Sequence, residues 1–532
     1  MIPDLRLRGL FATLALQLPW LLVLPLFLTL YLVPTTFVPT ESFGAALGRS
    51  VGLALLAATI CVSMGLLFGW LCRGLFSGLW LVLLPCLLVP VLIGPLSIGF
   101  LAKIAVLNAP VVSWLIGSRD QIPTLSFILV LYLFQYAPMC AYVFWLRART
   151  LPCNVDDYAR TARLAPIEFA ADVFWPHCRS LCQVLFVFVF FLTATEFSLT
   201  DLSIRPSVGT STALLSHWLA EEYRIWMPAG GGLAAASLAA YGIAGALSLI
   251  VVGLLANFVF CATLDLIARG RRCLDLAGKL VSGLEARKSI LGPSVSLSAV
   301  VFCLFPLVLG YIVFPPRAFP GAGALVAAFF WSLPAALASV LVSISIAILL
   351  RVSVKNGALL GFDTGSIYLL ILNPLAMPTL IISTASFWWF GGNGMVPLLG
   401  ARSGWLVGQV LVGMPLLVGF CFWLHLRISD RELEYQRSTV LRPMELITTS
   451  FLDRLRPEYL LLLLFSWSLV WNDGVVNRGA ASEILSLYSI ISPKLSVRPD
   501  YQAAQFCLMF SLLAAAVMIA GWQRATAKAS NS

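Results

Sequence analysis

Two carboxylates open the chemical reading of this 532-residue chain. Glu196 closes one long apolar run, and Asp473 closes another in the later part of the chain. They fall twenty residues after Pro176 and Asp453, which predicts them toward the outer ends of equivalent helices. Two such groups facing one cavity would attract a cation, or share a proton in its absence. Other chemistry is missing from the string. There is no G-x-x-x-x-G-K-[ST] phosphate cradle, no H-E-x-x-H and no C-x-x-C pair. His177, His217 and His425 are scattered, so no metal site and no cofactor in this chain are expected. One G-x-S-x-G string runs from Gly48 to Gly52 around Ser50. It opens an apolar run and lacks the preceding strand that a nucleophile elbow needs. The chain is not expected to be an enzyme.

The elements that would position Glu196 and Asp473 follow from composition. Hydrophobic residues make up 60% and charged residues only 11%. A soluble domain carries about a quarter charged residues, so this is an all-α polytopic membrane protein by composition. The net charge of +10 does not point to nucleic acid, because basic residues in a membrane protein sort by topology. The twelve cysteines fall in apolar runs or in loops placed inside, so no disulfide framework is expected.

Twelve runs approach the ~20 residues that a bilayer needs. They lie near 11–33, 46–71, 75–101, 123–146, 181–199 and 230–262, then 293–314, 324–350, 360–389, 403–426, 458–472 and 502–522. With the N-terminus inside, 24 of the 34 Lys and Arg fall in segments on the cytoplasmic side. That bias, and an even span count, predict both termini in the cytoplasm. The opening MIPDLRLRGL lacks a small-residue cleavage site and is expected to be retained. Pro90 and Pro95 in the third run correspond roughly to Pro374 and Pro378 in the ninth. Such paired breaks mark either a transport pathway or ordinary packing kinks.

A polar island interrupts this chain from Asn154 to Ser180, with three arginines and four acidic residues. Ala159, Ala162, Ala165 and Phe169 recur within it at three- and four-residue spacing, which predicts an amphipathic helix along the inner membrane surface. An apolar stripe on such a helix needs something to dock into. A second copy follows in the later part of the chain, in unbroken register with the first. One constant offset takes Asp157-Tyr158 to Glu434-Tyr435, Arg160 to Arg437, Pro166 to Pro443, Phe174 to Phe451, Pro138 to Pro415 and Glu196 to Asp473. The chain reads as two homologous halves, 1–275 and 276–532, related by pseudo-twofold symmetry. Their joint is the basic connector Arg269 to Lys288, whose charge also suits anionic lipid headgroups. The outer loops Thr200 to Ala229 and Asp473 to Tyr501 each hold a short amphipathic piece, ALLSHWLAEEY and ASEILSLYSII.

The island resembles the EAA loop of permease subunits of ATP-binding-cassette importers, roughly E-A-A-x3-G-x-S-P. The pattern falls on Asp157-Tyr158-Ala159, Arg163 and Pro166, then on Glu434-Tyr435-Gln436, Val440 and Pro443. Arg163 and Val440 stand where the family carries glycine. Fused permeases of ferric iron, thiamine and polyamine importers are the nearest likeness. The resemblance implies two cytoplasmic ATPase subunits that bind the ATP and an extracytoplasmic substrate-binding protein that docks on the outer loops. It also implies a bacterial inner-membrane location. The ten loop residues would couple the ATPases to the spans, with Asp157 and Glu434 complementing helix starts.

A secondary transporter of the major-facilitator kind also has twelve spans in two halves. It usually carries a charged signature between spans two and three, where this chain has only Cys72 to Gly74. A membrane-embedded enzyme or a lipid flippase offers no reason for two matching cytoplasmic helices.

Overall fold

Within hydrocarbon every backbone N–H and C=O must be satisfied inside its own segment, so long apolar runs fold as helices. In the computed structural model they do. The structure describes residues 13–32, 41–75, 79–95, 98–99, 125–149, 151, 161, 166–196, 214–220, 232–269, 288–313, 322–355, 364–390, 401–426, 456–472, 512–513, 515–521 and 523. No strand occurs among them.

The first half contributes α1 (Leu18–Leu32), α2 (Glu41–Cys72), α3 (Trp80–Leu83), α4 (Leu125–Arg149), α5 (Pro166–Phe169), α6 (Trp175–Thr195) and α7 (Gly232–Arg269). The second contributes α8 (Lys288–Val313), α9 (Ala322–Lys355), α10 (Thr364–Leu372), α11 (Thr379–Phe390), α12 (Ala401–His425) and α13 (Arg456–Asn472). Each of the twelve predicted runs contains described helix. Among the described residues six helices are long and apolar enough to cross a membrane: Ser42–Cys72, Leu125–Arg149, Ala170–Thr195, Leu238–Ala268, Phe330–Arg351 and Arg402–His425. A seventh is added if the bent pair Ile367–Ala376 and Thr379–Phe390 is one span. The protein is thus built as a multi-pass helical membrane protein.

Both proline-marked runs tighten into a 3-10 turn, and the second also bends sharply. In the first half the helix tightens into a 3-10 turn at Leu84–Leu88, with Pro85 at its start. In the second a 3-10 turn at Asn373–Ala376 starts on Pro374, and the flanking helices meet at 77°. Proline removes a backbone donor and fixes φ, so each turn begins where the α ladder loses a rung. In the first run the turn starts at Pro85, ahead of the predicted Pro90, and the helix continues through it to Pro95. Further on, Gly94 takes a φ of 82° just before Pro95, a conformation open to glycine.

Two helix trios pack in the same way. In the first, α2, α4 and α6 touch one another pairwise; in the second, α9, α12 and α13 do the same. Helices α4 and α12 are both 25 residues long. Their first residues, Leu125 and Ala401, agree to within one position with the offset of the sequence repeat. Helices α6 and α13 end at Thr195 and Asn472, in full register with it.

Helix α8 lies against the first half, while α1 lies between α7 of its own half and α11 of the other. Helix α1 packs on α11, where Trp389 Nε1 donates to the Leu22 carbonyl at 3.0 Å. Helix α8 packs on α2 and on the first 3-10 turn. There the Cys72 and Ser296 side chains meet at 3.1 Å, and Phe134 and Phe302 at 5.5 Å between ring centroids. Helix α7, packed chiefly on α1 and α6, also meets α11, and Gln523 Nε2 donates to the Val82 carbonyl of α3 at 3.0 Å.

One expectation needs correction. The fifth span, expected from about residue 181, starts earlier, and residues 154–160 and 162–165 of the expected surface helix lie outside the described residues. Helix α5, a π-helical turn at Ala170–Phe174 and α6 follow without a break, so the membrane-length helix already begins at Ala170. Its polar residues find partners sideways, as described next.

Candidate functional site

At one end of the bundle, arginines gather from alternate connections. Arg73 follows α2, Arg147 and Arg149 close α4, and Arg179 opens α6. The side chain of Arg73 is buried, stacked 4.0 Å over the Trp70 ring and 4.4 Å over Phe169. A guanidinium held over two aromatic faces keeps its charge in an apolar setting. Phe169 and Phe174 both lean on Trp70, at 5.6 and 5.3 Å between centroids. Asp265, near the end of α7, accepts from Trp175 Nε1 at 2.7 Å and pairs with Arg179 at 2.9 Å. Arg147 Nε donates to the His177 carbonyl, and His177 Nε2 lies 3.0 Å from the Arg147 carbonyl. That nitrogen therefore carries the ring proton. These bonds clasp the end of α4 to the start of α6.

The second half joins the same two helix ends differently. His425, closing α12, meets the Tyr459 hydroxyl of α13 at 2.6 Å. Arg351 of α9 and Glu458 of α13 are also buried.

Of the predicted coupling residues, Asp157, Tyr158, Ala159, Arg163, Glu434, Tyr435, Gln436, Val440 and Pro443 lie outside the described residues. Pro166 is placed, as the first residue of α5. It starts a continuous helical path that runs to Thr195, roughly 45 Å at ~1.5 Å per residue. Of the predicted apolar stripe only Phe169 is described, and it is turned inward onto Trp70, leaving it unavailable to a partner. Trp70, Arg73 and Asp265 were missed by sequence reasoning. A lone Asp in the C-terminal stretch of an apolar helix, with Arg and Trp at the start of another, was the signal for this clasp.

At the opposite end, Glu196 caps α6 in an extended conformation and is half-buried. Its carbonyl accepts from Ser216 Oγ at 2.7 Å. Asp473 lies outside the described residues. Beside Glu196, Thr195 Oγ1 donates within α6 to Phe191 and also reaches the Leu375 carbonyl, 3.3 Å away in the second 3-10 turn. Reciprocally, Ser468 Oγ of α13 donates to the Leu92 carbonyl, beyond the first turn, at 2.6 Å. Each half thus lends a hydroxyl to the proline-marked run of the other.

The expected outer docking piece is committed to its own chain along one face. Trp218 packs between Phe43 and Tyr241, and its Nε1 donates to Ser42 at 3.2 Å. Ser50 lies inside α2 and accepts from the Leu215 backbone N–H at 2.8 Å, so the G-x-S-x-G string is structural. The matching outer stretch in the second half, and the connector 270–287, lie outside the described residues. Among the described residues no group of three His, Cys, Asp or Glu is placed to hold a metal. The described cysteines are free thiols.

Comparison with protein-family models, with curated proteins and with solved structures finds no match. The functional reading therefore rests on this geometry and on the repeat in the sequence.

Proposed function

We propose that this chain is the transmembrane permease of an ATP-binding-cassette importer, with two six-span halves fused at 1–275 and 276–532. It would reside in a bacterial inner membrane with both termini in the cytoplasm. The observation that carries this reading is the pair of helix trios, α2–α4–α6 and α9–α12–α13, each interrupted by one copy of the repeated polar loop at the same offset. The gathering of Arg73, Arg147, Arg149 and Arg179 at one end supports a cytoplasmic placement of that end.

Two ATPases would grip the loops around Asp157–Pro166 and Glu434–Pro443. Closure of the ATPases on ATP would push on Pro166 and move the α5–α6 rod as one body. The rod ends at Glu196, beside the broken helix of the other half, so the thrust arrives where the halves meet. A small cationic solute from an outer binding protein would pass there, drawn by Glu196 and Asp473.

Co-purification tests the reading. The tagged chain, expressed in its own host and extracted gently, is expected to bring down a stoichiometric ATPase pair. Vesicles holding that complex should accumulate a cationic cargo (spermidine, thiamine or ferric citrate) only with ATP inside the ATPase compartment. Accumulation by this polypeptide alone would sink the proposal.

A further inference from the structure

The helical path from Pro166 to Thr195 changes its winding once. Between α5 and α6 it widens into the π-helical turn Ala170–Phe174, and the Trp175 backbone N–H donates to the Ala170 carbonyl five residues back. Pro176 is the local cause. It has no N–H for the Asp172 carbonyl, and its ring would crowd that carbonyl in a regular α ladder. A wider turn ahead of the ring relieves the crowding.

The turn also decides which side chains share a face. Phe169 and Phe174 stand five residues apart, which an α-helix would set about 140° apart around its axis. Yet both are buried, and both rest on Trp70, at 5.6 and 5.3 Å between centroids. The extra residue held in the π turn brings them round to one side. Arg73 lies 4.0 Å from the centre of the Trp70 ring and 4.4 Å from that of Phe169, so the same turn places part of the aromatic cover on this buried guanidinium. The α6 side of the turn is pinned, because Trp175 Nε1 and Arg179 both hold Asp265 of α7. A change of winding would therefore be taken up by α5 and the loop ahead of it.

We propose that the turn Ala170–Phe174 is a register switch. With α6 fixed, relaxation of the π turn to α geometry would rotate α5 by roughly 100° and shift it ~1.5 Å along the axis. Phe169 would leave Trp70 and uncover one side of the Arg73 guanidinium, while Phe174, next to α6, would keep its place. The two registers oppose comparable terms. The α form regains regular hydrogen bonds; the π form keeps the Phe169 contacts with Trp70 and Arg73 and spares Pro176 its clash. The path stays helical in both, so an axial push is carried in both, and what changes is the side that α5 turns toward the end of α2. The switch is one-sided. At the repeat offset Phe169 and Pro176 become Leu446 and Asp453, which supply neither the ring nor the missing donor. It belongs to this chain alone and holds whether or not an ATPase grips the loop.

The test uses the full chain in lipid nanodiscs, with 4-fluorophenylalanine in place of Phe169 and fluorine NMR as the readout. The para fluorine lies on the ring axis, so ring flips do not split its signal. A main resonance is expected from the ring on Trp70 and Arg73, with a minor one that exchanges with it in saturation transfer. Pro176→Ala restores the amide that α geometry uses, and should raise the ratio of minor to main signal about twofold to tenfold, the worth of one hydrogen bond. Deleting Ala171 sets the two phenylalanines at i and i+4, about 40° apart, so both stay on Trp70 in plain α geometry and the minor resonance should vanish. The switch is refuted if the parent chain and Pro176→Ala each show one resonance without exchange, or if the minor signal survives the deletion. Should the deletion variant fail to fold, the comparison of Pro176→Ala with the parent decides alone. Neither ATPase nor cargo enters the measurement, so its failure leaves the permease reading where it stands.

Discussion

Close approach of α2 and α4 depends on two glycines one turn apart. A Cβ on Gly65 would stand 2.8 Å from Cys140 Cβ and 2.9 Å from its carbonyl carbon; one on Gly69 would stand 2.9 Å from Phe144 Cβ and 3.0 Å from its carbonyl carbon. Backbone cannot yield as a flexible side chain can, and small residues at such positions are what let membrane helices meet. Gly65→Ala is expected to cost about 1–3 kcal/mol through overpacking. Gly48→Ala, where a Cβ meets nothing within 4 Å, should be neutral or slightly stabilising. Unfolding midpoints in detergent compare the two. Phe169 gives a second prediction at this scale. Its ring packs on Trp70 and under the Arg73 guanidinium, so Phe169→Ala should lower the midpoint, by about 3–5 kcal/mol of stability if the site collapses poorly. A residue that only docked a partner would leave the midpoint unmoved. The spacing of Phe169 with Ala159 and Ala165 is legible in the sequence, but its direction is not. Periodicity assigns a face without saying whether the chain itself or a partner covers it.

The helices were largely legible, since hydrocarbon demands long apolar runs and proline marks where they give way. The turns at Pro85 and Pro374 show the limits. Sequence points to Pro374 correctly, yet it favours Pro90 over Pro85, because any proline in an apolar run can sit in a kinked helix. The early start of the fifth span was hidden for another reason. Asp172, His177 and Arg179 read as a water-facing loop, yet Asp265 and the Arg147 backbone take up His177 and Arg179 laterally. No local pattern announces that. At this scale the two exchanged hydroxyls can be tested. Ser468→Ala removes the bond to the Leu92 carbonyl, and Thr195→Val removes the bond to Leu375 along with the one to Phe191 inside α6. Each bond between the halves is worth about 0.5–1.5 kcal/mol. The two bonds share no partner, so the double variant should lose the sum of the single losses within ~0.5 kcal/mol. Thermal unfolding of the four proteins measures this, and strong coupling between them would mean that the two turns move as one element.

Whole-molecule organisation was the least legible, because nothing in a helix reveals which half it will lie on. The internal repeat predicts two like halves, but not that α1 would settle on α11 or α8 on α2 and the first 3-10 turn. Exchange of this kind has a mechanical consequence. An isolated first half would leave α1 without α11, and the Gly242 face of α7 without Ile381 against it. An isolated second half would likewise lose the seat of α8 on Cys72 and Phe134. The junction depends on interdigitated helices, so the peptide link in the connector contributes little beyond raising the local concentration of one half near the other. Coexpression of residues 1–275 and 276–532 as separate chains is therefore expected to give a complex that a tag on either piece recovers intact, with an unfolding midpoint close to that of the fused protein. Each piece expressed alone should be degraded or aggregate, since its exchanged helix exposes a face shaped for protein. Two pieces that are stable apart and do not associate would show that the halves are independent bodies, and the reciprocal contacts of Thr195 and Ser468 could not then transmit motion between them.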